Sequence, residues 1–376
     1  MKAQQLLKQI EKMGIEVVTG VPDSTLRQFC DGLQTYNGQL KHYVPANEGG
    51  AVGIAVGAYL ATGKPACVYL QNSGIGNTVN PVASLANKEV YGIPMLFIVG
   101  WRGEPGASDE PQHVFQGRIT CDLYDILNIP YSVIDARTTW EEMSDILNKA
   151  EECFKNREQY AIIVKKGTFE AEDKFEWRNE NLLNREEVLG SLLKLAPEGA
   201  CVVSTTGKIS RELYEQSNRL YGGHDRLFMT VGGMGHASMI AFGIAQADNR
   251  RRVICIEGDG AVLMHMGALP FIAENAPENY VHIIINNQAH ESVGAMPTGC
   301  QTANFAELAK AAGYKKTLRI NTKEELSGIG SMLQTECGPV LAEIMVTLDA
   351  RADLGRPAES AGENRDLFMS YLNGKI

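Results

Sequence analysis

The chain has 376 residues, enough for two or three domains, and its 44% hydrophobic and 21% charged residues are the composition of an ordinary globular protein. A formal net charge of −10 argues against a nucleic-acid partner, because phosphate backbones are held by basic patches. No apolar run approaches the ~20 residues that a membrane helix needs. The first ten residues are polar and amphipathic rather than leader-like. The cysteines at 30, 67, 121, 153, 201, 255, 300 and 337 have neither CxxC nor Cys/His zinc spacing. Reduced thiols in a cytoplasmic protein are therefore expected.

In chain order, short apolar strands alternate with amphipathic helices, the pattern of a parallel α/β sheet. Strands are predicted at 16–19, 41–44, 66–70, 95–99, 131–134 and 161–164. Between them fall an Ala/Gly-rich helix over 49–60, suited to close packing on a sheet, and an amphipathic helix over 140–154. The stretch KKGTFEAEDKFEWRNEN is charged and lacks apolar periodicity, so it reads as a linker. Strands resume at 201–204, 227–229, 253–257, 281–286 and 340–344, and an irregular stretch from Arg351 to Glu363 precedes a last helix to about Leu372. The expected architecture is two doubly wound parallel-sheet domains, 1–168 and 185–376, joined by a linker over 169–184.

Gly258-Asp259-Gly260 closes one apolar strand, and Asn286-Asn287 closes the next, with 261–285 between them. Both motifs therefore fall at carboxyl ends of strands, where open α/β sheets bind ligands. Asp and Asn oxygens suit a hard cation such as Mg²⁺, which also binds phosphate oxygens. The flanking glycine lets a diphosphate approach the next helix N-terminus. Either motif alone could be a mere turn. Together, at this separation, they resemble the signature of the thiamine-diphosphate (ThDP)-dependent decarboxylase superfamily.

That resemblance implies ThDP and Mg²⁺ as cofactors. Gly258, Asp259, Gly260 and Asn287 would hold the diphosphate end, and Asp259, Asn287 and the Ala289 carbonyl would ligate the metal. Val231-Gly232-Gly233-Met234-Gly235 looks like the loop that bends the coenzyme, with the Gly232 carbonyl on its 4′-amino group and Met234 as an apolar wedge. Asn47-Glu48-Gly49-Gly50-Ala51 looks like the glutamate motif, which places Glu48 beside N1′ of the aminopyrimidine. The fold implied is a pyrimidine-binding and a diphosphate-binding domain, with no room for the middle domain of larger relatives. Superfamily members build each site from two subunits, so a homodimer or higher homo-oligomer is expected.

A closer resemblance, to the phosphonopyruvate decarboxylase branch, runs through nearly the whole chain. It is carried by Gly20-Val21-Pro22-Asp23-Ser24, Gln71-Asn72-Ser73-Gly74, Trp101-Arg102-Gly103-Glu104-Pro105-Gly106, Asp109-Glu110-Pro111-Gln112-His113, Thr206-Gly207-Lys208 and Arg351-Ala352-Asp353-Leu354-Gly355-Arg356-Pro357. It implies a small 2-oxo acid with a second anionic group as substrate, and a place in phosphonate biosynthesis. Asp23 and His113 match catalytic loops, while His290 and Glu291 follow the metal motif and would face the reacting carbon. Ser24, Arg102, Lys208, Arg351 and Arg356 are candidates for the second anion, because each sits in a motif rather than on a helix face. The chain departs from the branch at His290-Glu291-Ser292-Val293-Gly294-Ala295-Met296-Pro297-Thr298, where a stretch like HDSVGGQPT is expected.

Two readings compete. Related sulfopyruvate decarboxylases, or a carboligase acting on another 2-oxo acid, share part of these motifs. A non-catalytic nucleotide-binding protein would carry a GxGxxG turn behind the first strand, and none follows Val17-Val18-Thr19.

Overall fold

Apolar, β-branched runs long enough to be buried on both faces form the central strands of each sheet, and more polar segments form the edges. The computed structural model describes residues 1–172, 174–348 and 350–374. They divide into two α/β units, Met1–Trp177 with His290–Gly299, and Arg178–Ala289 with the residues from Cys300 onward.

The first unit holds β1 (Val17–Gly20), β2 (Lys41–Tyr43), β3 (Ala66–Gln71), β4 (Met95–Gly100), β5 (Tyr131–Ile134) and β6 (Tyr160–Val164), all parallel in the order β2-β1-β3-β4-β6-β5. Successive residues of β4 serve opposite faces: Leu96 and Ile98 pack in one apolar layer, Met95, Phe97 and Val99 in the other. The helix Glu48–Thr62 starts where the Asn47 side chain accepts from Gly50 N–H (2.9 Å) and stops at Gly63, whose φ of 70° ends the helical turn. A capping box of Thr139 and Glu142 fixes the start of the helix Trp140–Lys155.

The second unit holds β7 (Cys201–Ser204), β8 (Leu227–Met229), β9 (Val253–Gly258) and β10 (Tyr280–Asn286). A two-residue pair, β11 (Ala289–His290) and β12 (Met296–Pro297), follows, and then β13 (Lys316–Ile320) and β14 (Val340–Met345). Its sheet runs β8-β7-β9-β10-β14-β13. Counted from each unit's own start, and leaving β11 and β12 aside, both sheets have the strand order 2-1-3-4-6-5. Each reverses its direction of growth between its first and third strands, so the carboxyl ends there flank a ligand-binding crevice.

Several features differ from the sequence expectations, the short β11 and β12 among them. β13 was not expected: Lys316–Ile320 is an edge strand whose polar residues leave no buried run. The first unit runs on to Trp177, and the second is not one continuous 185–376 span, because His290–Gly299 joins the first. Met296, the position where glutamine was expected, is fully buried in the first unit's core, in the same apolar cluster as Phe29 and Leu26. Burying an unpaired amide there would cost several kcal/mol, so an apolar residue at 296 follows from where the segment packs. All eight cysteines are free thiols, and among the described residues no helix is long and apolar enough to cross a membrane.

Candidate active site

In the first unit, the residues expected to carry chemistry gather at the carboxyl edge of the sheet. Glu48 opens its helix and is 4% exposed. Its Oε2 accepts from Asn77 Nδ2 (2.6 Å), and Gly74 lies so close that a Cβ there would stand 2.4 Å from Oε1. Burial raises the Glu48 pKa, with the Asn77 bond acting against it. A carboxyl so placed can share a proton with a ring nitrogen.

Asp23 follows β1 and is fully buried. Its Oδ2 accepts from Thr25 N–H (2.7 Å) and Leu26 N–H (3.0 Å), while Oδ1 has no hydrogen-bond partner. Desolvation pushes its pKa up to about 6, against these bonds and the nearby Arg102. Gly100, at the end of β4, has to be glycine: a Cβ would meet Asp23 Oδ2 at 2.2 Å.

Arg102 lies beside Asp23 and His113. Its Nε donates to Asp109 Oδ2 (2.8 Å), Nη2 donates to Asp109 Oδ1, and Nη1 donates to Ser24 Oγ (2.9 Å). His113, in the first turn of the helix Pro111–Ile126, is half-buried with no partner on Nδ1. Burial lowers its pKa, and Arg102 lowers it further. Burial likewise pushes His290 down to about 4, so this imidazole is neutral. Glu291 begins the single turn Glu291–Val293 that follows.

In the second unit, the register pairs Ile285 of β10 with Gly258 of β9. Asp259 and Asn286-Asn287 therefore leave adjacent strand ends at one edge. Asp259 is 3% exposed, and Asn287 and Ala289 are each 7% exposed. The Asn286 side chain is spent elsewhere, because its Nδ2 donates to the buried Glu343 Oε1 (2.7 Å). Gln288 takes a left-handed φ of 62°, rare without glycine, and Ala289 N–H donates to Asn287 Oδ1 (3.1 Å). Two side-chain oxygens and a carbonyl, set in a tight turn, are the hard donor set that Mg²⁺ prefers. Asp259, Asn287 and Ala289 thus fit the metal, and Gly258 and Gly260 flank it.

The loop Val231–Gly235 holds Gly233 (φ 65°) and Gly235 (φ 90°), with Met234 partly buried between them and Gly232 just before. A Cβ at Gly235 would collide with His265, whose ring stacks edge-on with His236 at 4.5 Å. Beneath the metal motif, His282 Nε2 meets Glu257 Oε1 at 2.8 Å and Nδ1 meets Tyr314 OH at 3.0 Å, a buried polar network supporting the end of β9. Lys208 opens the helix Lys208–Tyr221 behind Gly207.

Arg351 and Arg356 lie on exposed positions of the second unit. Arg351 is committed elsewhere: its donors go to Glu186 (2.7 Å), Asp353 (3.0 Å) and Glu215. That carboxylate ring, not an anion of the substrate, answers its charge. Sequence reasoning missed Asp109, Asn72 and Asn77. The first reads as a polar residue ahead of a Pro-started helix, and the two asparagines read as turn residues.

A buried acid with a raised pKa at one sheet edge and an oxygen-donor turn at the corresponding edge of a like-ordered sheet fit the two ends of ThDP and its metal. The chain matches the thiamine pyrophosphate enzyme N-terminal TPP binding domain over residues 2–126 and the thiamine pyrophosphate enzyme C-terminal TPP binding domain over 214–344. It belongs to the thiamine pyrophosphate-dependent decarboxylase family, and ThDP is its cofactor. It is 32% identical to a phosphonopyruvate decarboxylase of Streptomyces viridochromogenes, over 98% of this chain and 94% of that one. The phosphonopyruvate decarboxylase of Streptomyces hygroscopicus is also 32% identical, over 98% and 93%. A sulfopyruvate decarboxylase of Methanosarcina acetivorans is 25% identical, over 85% of each chain.

Proposed function

We propose that this protein decarboxylates phosphonopyruvate to phosphonoacetaldehyde and CO₂, with ThDP and Mg²⁺. The observation that carries the choice is the Arg102 guanidinium fixed beside the buried Asp23 and the half-buried His113, an anion-binding group next to proton-transfer groups. The two relatives named for this substrate are also more similar to this chain than the one named for sulfopyruvate.

When bound, ThDP supplies the electron sink that a 2-oxo acid needs to lose CO₂. The carboxyl of Glu48 would hold a proton beside the pyrimidine N1′. Asp259 and Asn287 side-chain oxygens and the Ala289 carbonyl would hold Mg²⁺, and Gly258 and Gly260 would leave room for the diphosphate. Gly232 and Met234 would contact the coenzyme. Arg102 and Ser24 grip the phosphonate and orient the keto carbon, and Lys208 and Arg356 are further candidates for its charge.

Loss of CO₂ leaves a carbon that must gain one proton, so the net change is phosphonopyruvate plus H⁺ to aldehyde plus CO₂. Asp23, whose pKa of about 6 lets it hold or release a proton near neutrality, delivers that proton. His113, with Glu291 and the neutral His290 from the loop behind the metal motif, moves protons at the carbonyl oxygen. Each site takes Glu48 from one subunit and Asp259 from another, which makes the smallest working form a homodimer.

Purified protein given ThDP and Mg²⁺ releases CO₂ from phosphonopyruvate at least about a hundredfold faster, by kcat/KM, than from pyruvate, since the clamped phosphonate contributes about 3 kcal/mol. Sulfopyruvate ranks between the two. Equal turnover of pyruvate rejects the proposal, and preference for sulfopyruvate replaces the phosphonate with a sulfonate.

A further inference from the structure

Arg102 is held at more points than an ordinary ion pair requires. Its own backbone is clamped by the fully buried Asn72: Asn72 Nδ2 donates to the Arg102 carbonyl (2.8 Å) and Arg102 N–H donates to Asn72 Oδ1 (3.1 Å). Asn72 is in turn fixed by the Thr120 hydroxyl (2.8 Å), and its carbonyl accepts from Gln116 Nε2 (3.1 Å). The guanidinium is then locked at its far end by Asp109. That carboxylate also accepts from Gly103 N–H (2.8 Å) and Glu110 N–H (2.8 Å) and so cannot swing away freely. Burial works against the Asp109 charge, but the Arg102 and Gly103 bonds outweigh it and hold the carboxyl below the usual range.

A guanidinium has five N–H groups. Asp109 takes one on Nε and one on Nη2, and Ser24 takes one on Nη1. The two left are one on each terminal nitrogen, the pair that can bind two oxygens of a single tetrahedral anion.

We infer that Asp109 is a specificity-determining positioning residue: it fixes Arg102 so that the two remaining N–H groups meet the phosphonate oxygens of the substrate. This rests on the proposal that Arg102 binds the substrate's second anion. Asp109 does not touch substrate. It removes the rotamer freedom that a long arginine would otherwise lose on binding, an effect read as about a tenfold change in binding. A substrate without a second anion, such as pyruvate, gains nothing from this order.

The test uses the holoenzyme with ThDP and Mg²⁺ in Asp109→Ala, the near-isosteric Asp109→Asn, Arg102→Ala and the Asp109→Ala/Arg102→Ala pair. Asp109→Ala raises the KM for phosphonopyruvate about tenfold, leaves kcat within about threefold, and leaves KM for pyruvate unmoved. Asp109→Asn, which keeps one acceptor oxygen, falls between. Adding Asp109→Ala to Arg102→Ala causes no further rise in KM. A KM raised by Arg102→Ala but untouched by Asp109→Ala and Asp109→Asn, with only the melting temperature lowered, overturns the positioning role while leaving the anion site standing. A KM untouched by Arg102→Ala overturns the anion site, and the inference with it. Should Asp109→Ala fail to fold, Asp109→Asn decides alone.

Discussion

The two six-stranded sheets share one strand order and differ at their carboxyl edges. The first sheet is apolar on both faces, and its edge carries buried acids, a fixed arginine and a histidine. The second is apolar on the face that holds Val202, Ile254 and Ile283, whereas its other face carries the Glu257–His282–Tyr314 network. Its edge is made of oxygen donors and glycine turns. Topology makes a crevice in each sheet, but the residues at the strand ends decide whether it activates or holds. Acids buried without a full cation partner have raised pKa values and can trade protons. Oxygens in tight turns, one of them strained at Gln288, suit a metal that must be gripped and not titrated.

The largest expected effect tests that division. Glu48→Gln lowers turnover at least about a hundredfold while calorimetry finds ThDP affinity within about tenfold of the parent. Asp259→Ala loses turnover by another route, abolishing Mg²⁺-dependent ThDP binding, with a chelator making no further difference. Co-expression of the two variants sharpens this. If each site joins Glu48 of one subunit to Asp259 of another, a mixed dimer keeps one intact site, and random pairing returns about a quarter of parental activity. Activity no higher than that of either variant alone places both residues in a site of one chain. Equal loss of ThDP affinity in both variants breaks the comparison.

A medium effect concerns Asp23, where function opposes stability. Its carboxyl has a folded pKa of about 6 against an ordinary 3.8, so the fold binds this proton more tightly than the unfolded chain does. The sign follows: this contribution to stability is fully present below about pH 4 and is lost as pH rises through 6. Asp23→Asn keeps an oxygen for the Thr25 and Leu26 amides and carries no charge. It therefore loses at least about a hundredfold in kcat but gains roughly 2–3 kcal/mol of stability at pH 8 relative to pH 4. Urea unfolding at the two pH values checks the gain, and an unchanged difference refutes the assignment of Asp23 as the strained acid.

How much of this could be read from the chain depends on whether one strand end or several loops make the feature. Gly258-Asp259-Gly260 and Asn286-Asn287 are legible because each closes an apolar run, and the β9–β10 register then sets them side by side. Glu48 is legible as a helix-opening acid, but its burial against Gly74 is not, since that depends on a turn after another strand. Asp109 carries no local signal of its role, because its partner Arg102 and the Asn72 clamp come from two separate strand ends. The allegiance of 290–299 hides for a similar reason. A loop that follows the metal motif in sequence gives no hint that Met296 will fill the core of the other unit. β13 fails on composition, being an edge strand with two basic residues in five.

The smallest effect separates two arginines that sequence motifs alone rank equally. Arg102 and Arg351 are both bound to carboxylates. Arg102, however, is 22% exposed, shares one carboxylate and a hydroxyl, and keeps an N–H on each terminal nitrogen. Arg351 is 40% exposed and divides its donors among Glu186, Glu215 and Asp353. Three anions around one exposed cation repel a fourth, and solvent screens what attraction is left. Arg351→Ala should therefore leave the KM for phosphonopyruvate within about twofold and lower the melting temperature by only about 1–2 °C, the scale of an exposed pair in a chain of this size. A tenfold rise in KM with an unchanged melting curve would instead mean that those carboxylates hold Arg351 in reserve for the substrate, and Arg102 would no longer stand above Arg351 as an anion anchor.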